Sequence, residues 1–349
     1  MLGHKPIKLP QDELPHDNII EWWYFNGQLQ DKAGRRYPFM DCLFKANPRR
    51  VKIPFLPRLP FDDLYFSHHL LTDLAKKKFY SAIEPLVFLA PDSFKKKNFY
   101  ARYSPPNITK QRQNLMEKTS ANSWHLKTDL FDLTLTSRKP PLLVGGKGYL
   151  TLANTATYYY SLTDLETRGK IFLDGKSIEV RGRSWMDHQW ADATYTKPRW
   201  DWFSLQLDNR HELLCFNFNY RRQTIGLASI ILPDGSQKHC RGVEITSLSG
   251  DWRSPDTGAA YPLAWQIKIP SEKINLRTAP LMEQSEMIFG SINYWEGGLS
   301  VKGDWQGKKV SGQGFMELVG YPGRLSRINY YQNKIKRQLQ GEIKKIFKH

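Results

Sequence analysis

Residues 184–208 read SWMDHQWADATYTKPRWDWFSLQLD and set an Asp-His pair, Asp187 and His188, among Trp185, Trp190, Trp200 and Trp202, with a further acid at Asp201. A carboxylic acid held against apolar walls has its pKa raised by desolvation, stays protonated near neutrality and can donate that proton. A neighbouring imidazole can orient the acid or relay the proton to and from water. Indole faces stabilise a nearby cation by about 0.5–2 kcal/mol each. Such residues suit protonation of a double bond, shelter of the resulting carbocation and delivery of water, with no cofactor and no metal. Asp187 is the expected donor, His188 its partner, and Glu21, in the equally aromatic EWWY, the reserve acid. The same residues also suit structural work, since an Asp-His pair can cap a turn or bridge two domains. Trp22, Trp23, Trp202 and Trp295 suit core or rim packing. His68 and His69 are adjacent on a strand-like run, so their side chains point to opposite faces and at most one meets a pocket. Nothing in the spacing of His68, His188 and Asp187 calls for a metal ion.

The elements that must carry these groups read as strands. GKIFLDGKSIEVRG (169–182) puts Asp174-Gly175 between two strand-like runs, a strong signal for a two-residue hairpin. DWFSLQLDNRHELLCFNFNY (201–220) alternates at Phe203, Leu205 and Leu207 and again at Leu214, Phe216 and Phe218. Pro233-Asp234-Gly235 repeats the device, and residues 294–321 read as a further glycine-punctuated pair. Many short strands with glycine turns predict an all-β sandwich or barrel. No βαβ alternation occurs, so a doubly wound nucleotide-binding fold is not expected. Glu296 and Glu317 lie on strands, where an acid ordinarily faces water, and inter-strand pairing is the role expected of them. GGKG (145–148) is a turn without the GK[ST] ending of a phosphate loop. The proline-rich 46–63 predicts a long loop, and 324–349 a basic amphipathic helix with Ile328, Tyr331, Ile335, Leu339, Ile343 and Ile346 on one stripe.

The chain has 349 residues and a formal charge of +17. Residues 1–198 carry 30 Lys and Arg against 20 Asp and Glu, 199–323 carry 13 against 13, and the tail carries 8 against 1. The basic character therefore sits in the first half and the tail. Lysine clusters among aromatics, as in AKKKFY and FKKKNFY, read as solvated loops or as surfaces for anions. No apolar run approaches the roughly 20 residues of a membrane helix, and the N-terminus shows no signal peptide. Three widely spaced cysteines, Cys42, Cys215 and Cys240, predict free thiols. A cytoplasmic location follows, peripheral to an anionic membrane if the tail lies in the interface; a chain whose signal had been removed, and which was secreted or periplasmic, would read the same way.

Six motifs occur in one order: EWWYFNG (21–27), FSHHLLTD (66–73), TYYYSLTDL (157–165), GRSWMDHQW (182–190), DWFSLQLD (201–208) and YWEGGLSVKG…GQGFMELVGY (294–321). Together they resemble the AttH/CrtC family, which includes carotenoid 1,2-hydratases and related lipocalin-like cyclases of fungal natural-product pathways. The resemblance implies two lipocalin-like antiparallel β-barrels packed together, an N-terminal barrel over 1–198 and a C-terminal one over 199–323, with the helical tail beyond them. It implies a hydrophobic pocket formed by Trp23, Tyr24, His68, Tyr159, Trp185, Trp190 and Trp202, and no cofactor. The expected activity is that of a carotenoid 1,2-hydratase-like hydro-lyase, or a related isomerase or cyclase, on an isoprenoid- or polyketide-like molecule. A non-catalytic carrier of a lipophilic ligand is the alternative. Nucleic-acid binding is not expected, because no recognised motif accompanies the basic clusters.

Overall fold

The computed structural model describes residues 5–50, 62–106, 113–152, 155–193, 199–220, 223–248, 250–289 and 292–323. The expected C-terminal helix lies outside these residues, as does most of the proline-rich stretch. Among the described residues the secondary structure is strands with three single-turn 3-10 helices, and no helix is long and apolar enough to cross a membrane.

Ten strands form the first sheet's closed circuit: Ile20–Asp31, Arg36–Ala46, Leu64–Asp73, Lys78–Leu89, Tyr100–Ser104, Asn114–Ser120, Ser123–Lys127, Phe131–Ser137, Thr155–Leu173 and Lys176–Ala191. Each is antiparallel to its neighbour, and pairing of Phe131–Ser137 with Thr155–Leu173 closes the barrel. The long strand Thr155–Leu173 serves two neighbours in turn. Before an irregularity between Leu162 and Leu165 it pairs with the short strands Leu142–Leu143 and Tyr149–Leu152, and after it with Phe131–Ser137. Asp174 and Gly175 make the expected tight turn, both with positive φ (50° and 74°), which suits a right-twisted hairpin.

The second sheet also has ten strands, from Arg199–Leu207 to Lys308–Val319. Its two edges, Gln237–Cys240 and Glu244–Ser247, do not pair with one another, so it curls as a half-barrel. Its concave core holds Phe203, Leu205, Trp265, Trp295 and Leu299.

The outer wall of the barrel packs on the outer wall of the half-barrel. On Ile20–Asp31, Trp23, Phe25 and Leu29 point into the lumen, while Tyr24 joins the layer between the sheets with Met40, Cys42, Trp185, Trp202 and Phe315. Both faces of this strand are therefore covered, which is why EWWYF is an unbroken aromatic run instead of an alternating one. Glutamines fasten one end of the layer. Gln28 Nε2 donates to the carbonyls of Leu299 (2.7 Å) and Gly314 (2.9 Å), and Gln206 Nε2 to those of Thr163 and Ser184 (2.8 Å each). At the flank, Lys139 reaches from the barrel to Glu212 Oε2 (2.6 Å) and to the carbonyls of Arg210 and Leu232.

Candidate active site

Strand register sets the site. In the first sheet it aligns Ser161, Asp187, Tyr24, Cys42 and His68 in one row. In the second it aligns Phe216, Trp202, Glu317 and Glu296. The two rows meet between the sheets: Tyr24 Oη donates to Glu296 Oε1 (2.6 Å), and Trp202 Nε1 donates to Tyr159 Oη (2.9 Å). The Tyr24 and Trp202 rings stand edge to face at 5.6 Å. His68 Nδ1 and Tyr294 Oη lie 2.6 Å apart.

Three carboxyl groups converge here. Asp187 receives Ser161 Oγ and Trp185 Nε1 on Oδ1 (2.6 Å each) and Tyr159 Oη on Oδ2. Burial outweighs these donors and pushes its pKa up to about 7. Glu317 is likewise pushed up to about 7 by burial, with the charge of Asp187 adding to the rise and the Trp200 N–H (2.6 Å) opposing it. Burial and the Glu317 charge raise Glu296 well above the usual carboxylate range. Glu296 therefore holds a proton at neutral pH, while Glu317 and Asp187 sit where a group can either give or take one. Burial lowers His68 to about 3, so its ring is neutral.

Glu317 is the accessible member of the three. It is half-buried, and half-buried apolar side chains of Trp22, Phe44, Trp200, Leu227 and Val319 pack around the same layer.

The sequence-derived site residues fall into two groups. Tyr24, His68, Tyr159, Trp185, Asp187 and Trp202 lie between the sheets. Glu21, Trp23, His188 and Trp190 turn the other way, into the barrel lumen. Asp187 and His188 do not share a pocket, because successive residues of a strand face opposite sides. Trp23 and His188 are cross-strand neighbours, their rings 4.8 Å apart. Glu21 Oε1 lies 2.8 Å from His188 Nε2 and 2.7 Å from His16 Nδ1. Burial pushes Glu21 up, but the hydrogen bonds from His16 and His188 more than offset it, and the carboxylate stays ionised. Burial lowers His188 and keeps it neutral.

The sequence reading gave Glu296 and Glu317 no chemical part. Their strands carry the missed signal: period two puts Glu296 on the face of Tyr294, and Glu317 on the face of Phe315 and Val319, so each acid continues an aromatic or apolar face. His16 gave no signal, since it lies in the segment before the first strand and only the fold brings it beside His188.

The AttH-like family model matches residues 1–321. Dehydratase asqC of Emericella nidulans is 27% identical over 203 residues, covering 54% of this chain and 58% of that protein. Kievitone hydratase of Fusarium solani subsp. phaseoli is 23% identical over 198 residues, covering 54% and 56%. The match thus spans little more than half of each of these relatives. Among solved structures, an AttH protein from Nitrosomonas europaea superposes with a TM-score of 0.73 at 26% identity, over 91% of this chain and 98% of that one. Kievitone hydratase from Nectria haematococca superposes with a TM-score of 0.71 at 16% identity, over 91% and 94%, a likeness of fold.

Proposed function

The chain belongs to the AttH-like family, and on that premise we propose that it adds water to, or removes water from, a carbon–carbon double bond of an apolar substrate bound between the two sheets. The observation that carries this reading is the convergence of Asp187, Glu296 and Glu317 among indole rings. The names of the dehydratase and hydratase relatives agree with it.

In the hydration direction, Glu317 gives its proton to one alkene carbon. The cation left on the other carbon faces the rings of Trp200 and Trp202 and the negative charge of Asp187. Water then forms the C–O bond. Its proton passes to Tyr159 Oη as the tyrosine's own proton moves to Asp187. The Trp202 N–H holds one lone pair of that oxygen and leaves the other for the incoming proton. After product leaves, half-buried Glu317 regains a proton from water, and Asp187 returns through Tyr159 to entering water the proton it gained, so each turnover ends where it began. Dehydration runs the same steps backwards. A carotenoid-like or polyketide-like skeleton suits the aromatic walls equally, and the carotenoid 1,2-hydratase reaction is one member of the class.

Asp187→Asn tests the assignment. Turnover, read by mass spectrometry as gain or loss of one water on a panel of apolar alkenes and alcohols, is expected to fall at least about 100-fold. Binding, read by tryptophan quenching, should change little. The folded-state pKa of Asp187 lies above its unfolded value, so its contribution to stability is present at low pH and lost as pH rises through 7. The variant should therefore lose less stability than wild type between pH 4 and about 7. Unchanged normalised turnover in a destabilised variant would favour the carrier reading.

A further inference from the structure

We propose that His16, Glu21 and His188 form a binding site for one divalent ion of the zinc class at the mouth of the first barrel, separate from the layer between the sheets. The three side chains offer two imidazole nitrogens and a carboxylate oxygen, all within 4.8 Å of one another. Two nitrogens with one oxygen suit zinc, iron, nickel or copper ions, and not calcium or magnesium, which prefer oxygen.

Geometry favours a site over an ordinary hydrogen-bonded cluster in three ways. First, the donors are held by stacking and not by further hydrogen bonds at the metal-facing atoms. His16 lies flat on Trp190 at 4.0 Å and 5°, and His188 rests on Trp23 at 4.8 Å. Second, Nδ1 of His188 is buried and has no hydrogen-bond partner, and the hydroxyl of its cross-strand neighbour Tyr160 is also unpartnered. Moving the ring proton from Nε2 to Nδ1 to free Nε2 for a metal therefore breaks no bond except the one to Glu21. The present His–Glu separations of 2.7 and 2.8 Å need to open by roughly half an ångström around an ion held at about 2.0–2.2 Å from each donor.

Third, an entry path exists. His16 is 21% exposed, and the Asp12 carboxylate, 29% exposed, lies 3.6 Å from its Nε2. A cation reaching the surface meets Asp12 and His16 before the buried Glu21 and His188. The carboxylate of Glu21, fully buried between two histidines, gains a full countercharge when the ion arrives. The consequence is structural as well: His16 belongs to the segment that crosses the barrel mouth, where the Trp23 indole donates to the Glu13 carbonyl (2.9 Å) and Lys118 pairs with the Glu13 carboxylate. A bound ion pins this segment to the strands Ile20–Asp31 and Lys176–Ala191.

The test uses tag-free, chelator-treated full-length protein titrated with Zn²⁺ by calorimetry and with Co²⁺ by visible absorption. Saturable binding of one ion per chain is expected, with cobalt bands of low-coordinate type and a raised melting temperature with Zn²⁺. His16→Asn, at a partly exposed position that leaves the barrel core intact, should weaken binding at least about 10-fold, and Glu21→Gln more. Affinity should fall as pH drops and the donors protonate. Absence of saturable binding to wild type overturns the proposal, as does equal affinity in wild type and folded His16→Asn.

Discussion

Glu317→Gln is expected to lower turnover by about 100- to 10,000-fold, the range for loss of a positioned general acid, while leaving the fold intact. The amide keeps the shape and can still accept the Trp200 N–H through its oxygen. It cannot donate a proton to carbon. It also ends the charge repulsion that Glu317 shares with Asp187 and Glu296, so Glu296 should titrate closer to the usual carboxylate range in the variant. Because Glu317 and Asp187 are both pushed up to about 7, and one must be protonated while the other is not, wild-type turnover should follow a narrow bell centred near pH 7. The limbs belong to the coupled set and not to either residue alone. Stopped assays across the pH range, with circular dichroism of the variant as a control for folding, check this. A flat profile in wild type, or a Gln variant with normal turnover, contradicts the assignment.

The second large effect concerns stability. Lys139→Met should cost about 3 kcal/mol, the lower end of what breaking one partner of a buried pair costs. The side chain is 4% exposed, its Glu212 partner fully buried, and the two join the barrel to the half-barrel. The cost stays at the lower end because Arg183 Nη2 still holds Glu212 Oε1 at 2.9 Å. The pH dependence gives the mechanism away. Burial already pushes Glu212 up to about 7 despite Lys139, so its contribution to stability is full at low pH and lost as pH rises through that value. Without Lys139 the pKa climbs further. The variant should therefore be nearly as stable as wild type at pH 5, with the gap widening toward pH 8. Urea titrations at both pH values measure it, and an equal gap at both excludes the ionic account.

Much of the fold was legible because its signals are local. Asp174-Gly175 and the alternation across 201–220 name their own hairpins. The open second sheet was not legible, since closure depends on whether Gln237–Cys240 and Glu244–Ser247 meet, and neither strand says so. The site was half legible. Asp187 was singled out by its aromatic neighbours, and the period-two argument that separated His68 from His69 also separates Asp187 from His188. Glu317 was missed for a different reason: its meaning comes from lying opposite Trp202 in the ladder and beside Glu296 across a hairpin, and only the first of those distances is long in sequence. An acid on a strand faces water by default, unless a second sheet covers that face. The apolar neighbours Phe315 and Val319 on the same face of the strand were the one local sign that a second sheet covers it.

The measurement that bears most directly on the central claim is transfer of solvent oxygen. Wild-type protein and Glu317→Gln are incubated in heavy-oxygen water with apolar alkenes and their hydrated alcohols, chosen first by tryptophan quenching. The account predicts that at least one ligand that binds both proteins gains heavy oxygen with wild type and not with the variant. Ligands that bind wild type tightly yet never exchange oxygen, or that exchange equally with the variant, would contradict it and leave the layer between the sheets as a carrier site.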